Sequence, residues 1–404
     1  MYLHMFLSLF QQLKSEESIG KKLEVLFYDR SFRKLMVQLV FSILMIVFFF
    51  YLIARAFSLE LGFGHLGSRA GFGISHAFLI EYTSNDSRWQ AYFVGIINTI
   101  RVSFIGILLA TVLGVLMGLA RLSKNFLISR ISAGYVEFIR NTPLLIQIIF
   151  WQLVLLQLPK ISDALTFGGF SVWSNRGILL PFINSIENGS LWFLILLIGL
   201  IVTLFARSYL SKYREENVNF FSPNLISLVF FLTIALISYF LLGINLYVDV
   251  PSLKVNEYGT YIQSGGFLLS PEFSAILFAL VLYTGTFITE IVRGSIQSLP
   301  KGQTEAAQAL GLSSYQRITL IILPQALRSI IPPLTNQYLN LTKNSSLSVA
   351  IAYPDVFMVS RTIMNNAGHA LPMLFLILIT FLGLSLFISI FMNFLNRRVT
   401  RIGA

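Results

Sequence analysis

Long apolar runs separated by short polar breaks set the pattern of this chain, and the breaks alternate in character along its length. A helix needs about 20 apolar residues to cross a bilayer core of about 30 Å. Runs of that order predict spans near 35–53, 91–120, 134–158, 191–206, 225–247, 272–292, 326–350 and 371–395. The breaks at 55–90, 159–188 and 249–270 are polar and Gly-rich. The others carry cations: Arg121, Lys124 and Arg130; then Arg207, Lys212 and Arg214; then Arg293; then Arg397, Arg398 and Arg401. Basic loops stay on the cytoplasmic side, so eight spans put both termini and every strongly basic break on one face. The seventh run is interrupted by Pro332-Pro333 and Lys343 and has the poorest helical pattern.

Composition agrees. The 404 residues are 55% hydrophobic and 12% charged, about half the charged fraction of a soluble domain. The fold class expected is an all-α membrane protein with about eight transmembrane helices and no room for a large soluble domain. A net charge of +11 could suggest nucleic-acid binding, but the cations sit at the ends of apolar runs, as membrane orientation requires. There is no cysteine, which excludes disulfides and thiolate metal sites. The four histidines, His4, His65, His76 and His369, are scattered, and no metal is expected. The first apolar run exceeds a signal-peptide core of about 7–15 residues and follows a long basic leader, so an uncleaved helix is expected.

Several local patterns carry candidate chemistry. Gly106, Ala110, Gly114 and Gly118 recur every fourth residue, a small-residue stripe for close helix approach, read as internal packing rather than a subunit interface. Gly62-Phe63-Gly64-His65-Leu66-Gly67 spells a dinucleotide fingerprint but lacks the strand and helix that give it meaning. Glu137 and Arg140, three apart, are expected to pair on one helix face, with Pro143 opening a membrane helix capped by Asn141 or Thr142. Glu290 and Arg293 are expected to pair in the same way. Charges at membrane depth are costly and point to function. Arg101, expected near mid-bilayer facing the bundle interior, and Lys343 with Asn344, Ser345 and Ser346 are therefore candidates for lining a hydrophilic pathway. No catalytic triad, paired-carboxylate site or phosphate-binding P-loop occurs, so ATP, if it drives the work, binds another polypeptide.

One polar segment stands apart from the apolar runs. Glu305-Ala306-Ala307 is followed by three residues, Gly311, nine residues, and then Ile321, Leu323 and Pro324. In identity and spacing this segment resembles the signature loop of bacterial ABC-importer permeases. Glu290-Ile291-Val292-Arg293-Gly294, Lys301-Gly302-Gln303 and the stretch from Glu137 to Gln147 are similar to the polar amino acid branch. Arg69-Ala70-Gly71-Phe72, Ser174-Asn175-Arg176-Gly177 and Tyr353-Pro354-Asp355 are similar to the general L-amino-acid transporter permeases within it. The resemblance spans about residues 55–395. Ala367-Gly368-His369 departs from it, since relatives usually carry Thr-Gly-Gln there.

The resemblance implies a type I importer core of five helices, with an extra first helix and an inserted helix pair. It divides the chain into a cytoplasmic segment 1–34, an extra helix 35–54, a periplasmic loop 55–90, a permease domain 91–395 interrupted by an insertion at about 160–270, and a cytoplasmic tail 396–404. It implies an inner-membrane permease subunit that moves L-amino acids by alternating access. Its partners would be a second related permease in a heterodimer, an ABC ATPase dimer docked on Glu305–Pro324, and a periplasmic binding protein, with no cofactor of its own. The alternatives are an ion-coupled secondary transporter, which would show inverted repeats and buried carboxylates, and a membrane-bound enzyme.

Overall fold

A computed structural model describes residues 30–57, 62–75, 77–185, 189–216, 222–255 and 261–401. Most of the expected leader 1–34, with His4, lies outside the described residues, as does His76. Helices form where the apolar runs predict them, with boundaries moved by a few residues. They are α1 (Arg30–Phe57), α2 (Arg88–Arg121), α3 (Phe126–Arg140), α4 (Leu144–Leu156), α5 (Gly189–Glu216), α6 (Pro223–Leu241), α7 (Pro271–Gln297), α8 (Lys301–Ala309), α9 (Ser314–Gln316), α10 (Leu323–Asn344), α11 (Val356–Ala367) and α12 (Ala370–Arg401).

Five helical stretches are long and apolar enough to cross a membrane: α2, α6, α7, the continuous run 314–351, and α12. The pair α3 and α4 passes the same test together, and the apolar parts of α1 and α5 are shorter. Eight crossings remain the natural count. Their depth in the bundle differs greatly. Two-thirds of the apolar window of α7 is buried, against about a tenth for α6. So α7 is the central post, with α2, α4 and α10 packed around it.

Two expected spans need correction. The third is not one helix from 134 to 158: α3 and α4 meet at a bend of 102°. Pro143 is itself the N-cap of α4 and no side chain caps that end. Asn141 ends α3, and Thr142 turns back to give its hydroxyl to the Phe138 carbonyl. The seventh span is not broken at Pro332-Pro333. Both prolines lie inside α10, and the helix continues through Lys343 into a tighter 3₁₀ turn, Ser345–Ile351.

The small-residue stripe explains how α2 and α7 approach. A Cβ on Gly114 would stand 2.5 Å from Ile288 Cβ, and one on Gly118 would stand 2.8 Å from Val292 Cβ. Gly106 faces Leu341 of α10. The stripe is thus consumed inside the protomer, where dispersion between close backbones replaces the hydrophobic drive that lipid cannot supply.

The polar breaks 159–188 and 249–270, with the end of the expected fifth span, which stops as a helix at Leu241, hold short antiparallel strands rather than plain loop. They are β1 (Leu165–Phe167), β2 (Ser171–Ser174), β3 (Gly177–Leu180), β4 (Phe182–Ser185), β5 (Leu246–Asp249), β6 (Ser252–Val255), β7 (Tyr261–Ser264) and β8 (Phe267–Leu269). One sheet runs β1-β2-β3-β8, and two ribbons pair β4 with β5 and β6 with β7. Ile178 opposite Leu269 joins the two ends of the inserted region, so α5 and α6 rise from a closed β base. Those two helices pack on each other, with the Trp192 indole donating to Ser238 Oγ. Ser174-Asn175-Arg176-Gly177 is the tight turn between β2 and β3, where Ser174 Oγ accepts from the Arg176 amide and Gly177 takes a φ of 124°.

Candidate functional site

Four residues past the end of α7 begins α8, the helix that carries the start of the segment the sequence singles out. Helix α8 carries Glu305 and Ala306 on its exposed side and tucks only Ala307 inward. It ends where Gly311 adopts φ 72°, a left-handed conformation open to glycine at little cost. The Leu312 amide bonds back to the Ala307 carbonyl and closes the end. A reciprocal cap then starts the next helix: Ser313 Oγ accepts from the Gln316 amide, and Gln316 Oε1 accepts from the Ser313 amide. A six-residue π-turn, Arg317–Ile322, follows before α10 resumes with Pro324 in its first turn. The run therefore begins ahead of Pro324, and the wider turn accommodates the missing N–H.

This segment shows apolar surface. Leu310 is 78% exposed and Tyr315 77% exposed, with Ile318, Leu320 and Leu323 also open. Gln303, Ile321, Pro324, Gln325 and Arg328 line a cleft beside them. Among signature residues, only Ala307 is packed away; Glu305, Ala306 and Gly311 are on the surface.

At the same end, the foot of the bundle is tied by charge. Glu290 receives Arg293 one turn on, at 2.8 Å, as the spacing predicts, and also Arg121 from the end of α2, at 2.5 Å. Arg121 was legible only as a loop cation. The expected Glu137–Arg140 pair does not form among the described residues. Helix α3 stops at Arg140, and the bend carries that guanidinium over the Phe287 ring of α7, 5.3 Å from its centroid, leaving Glu137 exposed. Gln147 does the work at this corner. Its Nε2 donates to the carbonyls of Ile139 and Thr142 and so ties the start of α4 to the end of α3.

The opposite end, below the sheets, holds Arg101. The side chain faces the interior as expected, thirteen residues into α2, and its guanidinium reaches Phe273 in the first turn of α7. Three rings surround it: Phe273 of α7 at 4.0 Å, Phe78 of the preceding loop at 4.5 Å and Phe267 of β8 at 4.9 Å. A desolvated cation over a ring gains about 2 kcal/mol. Three such contacts are of the order needed to hold a buried charge, whose desolvation costs several kcal/mol. Lys343 is elsewhere and exposed, Asn344 is half-buried, and the two serines serve their own helix. Ser345 Oγ donates to the Thr342 carbonyl and Ser346 Oγ to the Lys343 carbonyl. The structure joins none of this patch to Arg101 by a hydrogen bond among the described residues.

Tyr353-Pro354-Asp355 acts as a clamp on α2. The Tyr353 hydroxyl donates to the Asn98 carbonyl, Asn98 Nδ2 donates to the Pro354 carbonyl, and the Val356 amide donates to Thr99 Oγ1. Asp355, fully buried, caps α11 by accepting from the Met358 amide. Above it His65 and His369 stack with centroids 4.3 Å apart. Face-to-face rings do not converge on a metal. Burial lowers the His65 pKa, with the nearby His369 and Arg88 adding to the shift while the Gly62 carbonyl opposes it. Within the Gly62–Gly67 stretch, Gly64–Gly67 forms a 3₁₀ turn.

Comparison with known proteins bears on the whole chain. The family model described as binding-protein-dependent transport system inner membrane component matches residues 215–401. The general L-amino acid transport system permease protein AapQ of Rhizobium johnstonii is 37% identical over 92% of this chain and 93% of its own length. The putative amino-acid ABC transporter permease protein YhdX of Escherichia coli is 38% identical over 84% of this chain and 85% of its own. The glutamate/glutamine/aspartate/asparagine transport system permease protein BztB of Rhodobacter capsulatus is 34% identical over 94% and 96%.

Proposed function

The chain belongs to the binding-protein-dependent permeases of bacterial amino acid ABC transporters, and we propose from that membership how its parts act in an importer. It is a multi-pass membrane permease subunit that carries L-amino acids inward, with no P-loop of its own. The observation that supports the finer reading is the exposed segment from Glu305 to Pro324, which ends one helix, starts another and offers Leu310 and Tyr315 to a neighbour.

In this reading the end carrying Glu305, Glu290 and the basic breaks is cytoplasmic, and both termini lie on that side. The strands and the Arg101 cage face the periplasm. A dimeric ATPase grips α8, a second related permease completes the pore, and a periplasmic binding protein delivers the amino acid. Motion of α8 passes through the capped turn at Ser313 into α10 and α7, which tip between inward- and outward-open states. Such a change requires different contacts in the two states, and ATP closure of the partner supplies them. The division of the chain at 91–395 with its insertion at about 160–270, and the heterodimeric pairing, belong to the same proposal. Lys343 is a pathway residue in it, since it is exposed where a partner permease would close the pore.

Uptake by proteoliposomes holding the assembled transporter tests this. Transport that survives collapse of ion gradients and stops on ATP depletion supports it; the reverse pattern would establish ion coupling instead.

A further inference from the structure

Arg101 is only 9% exposed, yet its Nε and Nη2 meet no acceptor among the described residues. The cage explains how this persists. Aromatic rings around the guanidinium stabilise its charge but offer no oxygen acceptor to its N–H groups. Nε–H and Nη2–H share one edge of the group, and that edge is the fork a carboxylate grips with two parallel bonds. The buried Asp355 caps α11 through Oδ1 and makes no ion pair with Arg101.

We infer that the side-on edge of Arg101 receives the α-carboxylate of the transported amino acid, beneath a gate formed by Phe78 and Phe267. This assignment rests on the amino acid permease reading above. Phe273 is the fixed wall, since it is 1% exposed in the first turn of α7. The other two rings come from outside the bundle: Phe78 from the loop before α2 and Phe267 from β8, in edge contact at 6.1 Å. Phe182 of β4 stacks on Phe267 at 5.3 Å, so the ring moves with the strands. Displacing that pair opens the guanidinium to the side where the binding protein would dock. Until a carboxylate arrives, the rings stand in as its counter-charge. The inserted strands therefore bear directly on substrate entry. A lipid phosphate presents similar chemistry, but Arg101 is buried between α2, α7 and the strands rather than turned to the bilayer.

The test uses the complete transporter in nanodiscs with a Phe78→Trp reporter and no binding protein. L-glutamine should change the indole emission, whereas L-glutaminamide, lacking the α-carboxylate, should not, and Arg101→Gln should remove the response. In proteoliposomes with binding protein, Arg101→Gln should raise the uptake KM for L-glutamine at least tenfold, and Arg101→Lys should restore part of it. Equal emission changes with acid and amide overturn the assignment. So does a response that follows phosphatidylglycerol content instead of L-glutamine, or an Arg101→Gln KM within twofold of the unaltered protein. Should Arg101→Gln fail to assemble, the acid-against-amide comparison in the Arg101 background decides alone. Failure of the unaltered assembly to take up any L-amino acid would instead defeat the proposed function, and this assignment with it.

Discussion

Gly114 of α2 and Ile288 of α7 approach so closely that a methyl group on the glycine would stand 2.5 Å from the isoleucine Cβ. Ile288 cannot swing away, because its Cβ is fixed to the backbone. Gly114→Val should therefore force the two helices apart and cost at least about 1–3 kcal/mol. Thermal unfolding of the purified assembly should show a clear fall in Tm, and Gly134→Ala, which meets nothing within 4 Å, should not.

Gly311 is a different kind of glycine: space is open around it but its backbone is left-handed. Gly311→Val should strain the end of α8 by about 1–2 kcal/mol, without harming the bundle. Uptake and substrate-stimulated ATP hydrolysis should fall together, and Glu305→Lys should do the same by reversing an exposed charge. Normal membrane levels with normal transport in both variants would remove the coupling role.

Asn98 joins α2 to the Pro354 carbonyl through a fully buried amide. Asn98→Leu keeps the branched shape but leaves that carbonyl without its donor, at a cost of about 1–3 kcal/mol. The expected result is a lower Tm, with Tyr353→Phe giving a smaller decrease.

Glu290 bridges Arg121 and Arg293, but all three side chains are about a quarter exposed, at 23%, 23% and 29%. Water and salt screen such pairs, so Glu290→Gln should cost about 1 kcal/mol or less. High salt should narrow the difference in Tm between the variant and the unaltered protein.

His65 is held below the ordinary imidazole pKa, chiefly by burial, so the folded chain takes up its proton less readily than the unfolded chain. Its contribution is fully present above the unfolded value of 6.5 and is lost as pH falls toward and through the folded value. A protonated His65 would also face His369 and Arg88. Acidification from about pH 7.5 to about pH 5 should lower Tm, and His65→Asn should flatten part of that dependence.

How much of this was legible in the sequence follows from what each element depends on. Helices α2, α7 and α12 were readable because an apolar run long enough to span lipid admits few other structures. The 102° bend at 141–143 was only half legible: Asn141-Thr142-Pro143 marks a helix start, but nothing local gives the angle at which it leaves α3. The strands escaped because each is three or four residues long and its partner can be far away, as with Ile178 and Leu269. Arg101 announced itself as a charge in apolar surroundings. Phe78 and Phe267 could not, since 189 residues separate them in the chain and nothing local marks either ring. His369 was visible as a departure from relatives, and the structure supplies its neighbour, His65.

The π-turn at Arg317–Ile322 sets the azimuth of everything before it. Each α-helical residue advances the chain by about 100° around the axis. Trimming one residue from that turn would therefore swivel Glu305 and Leu310 a quarter-circle or more away from their present bearing on α10. In the proposed importer, a partner's hold on α8 would be aimed by a local count of residues, and a single deletion there would misdirect it while leaving every side chain of α8 intact.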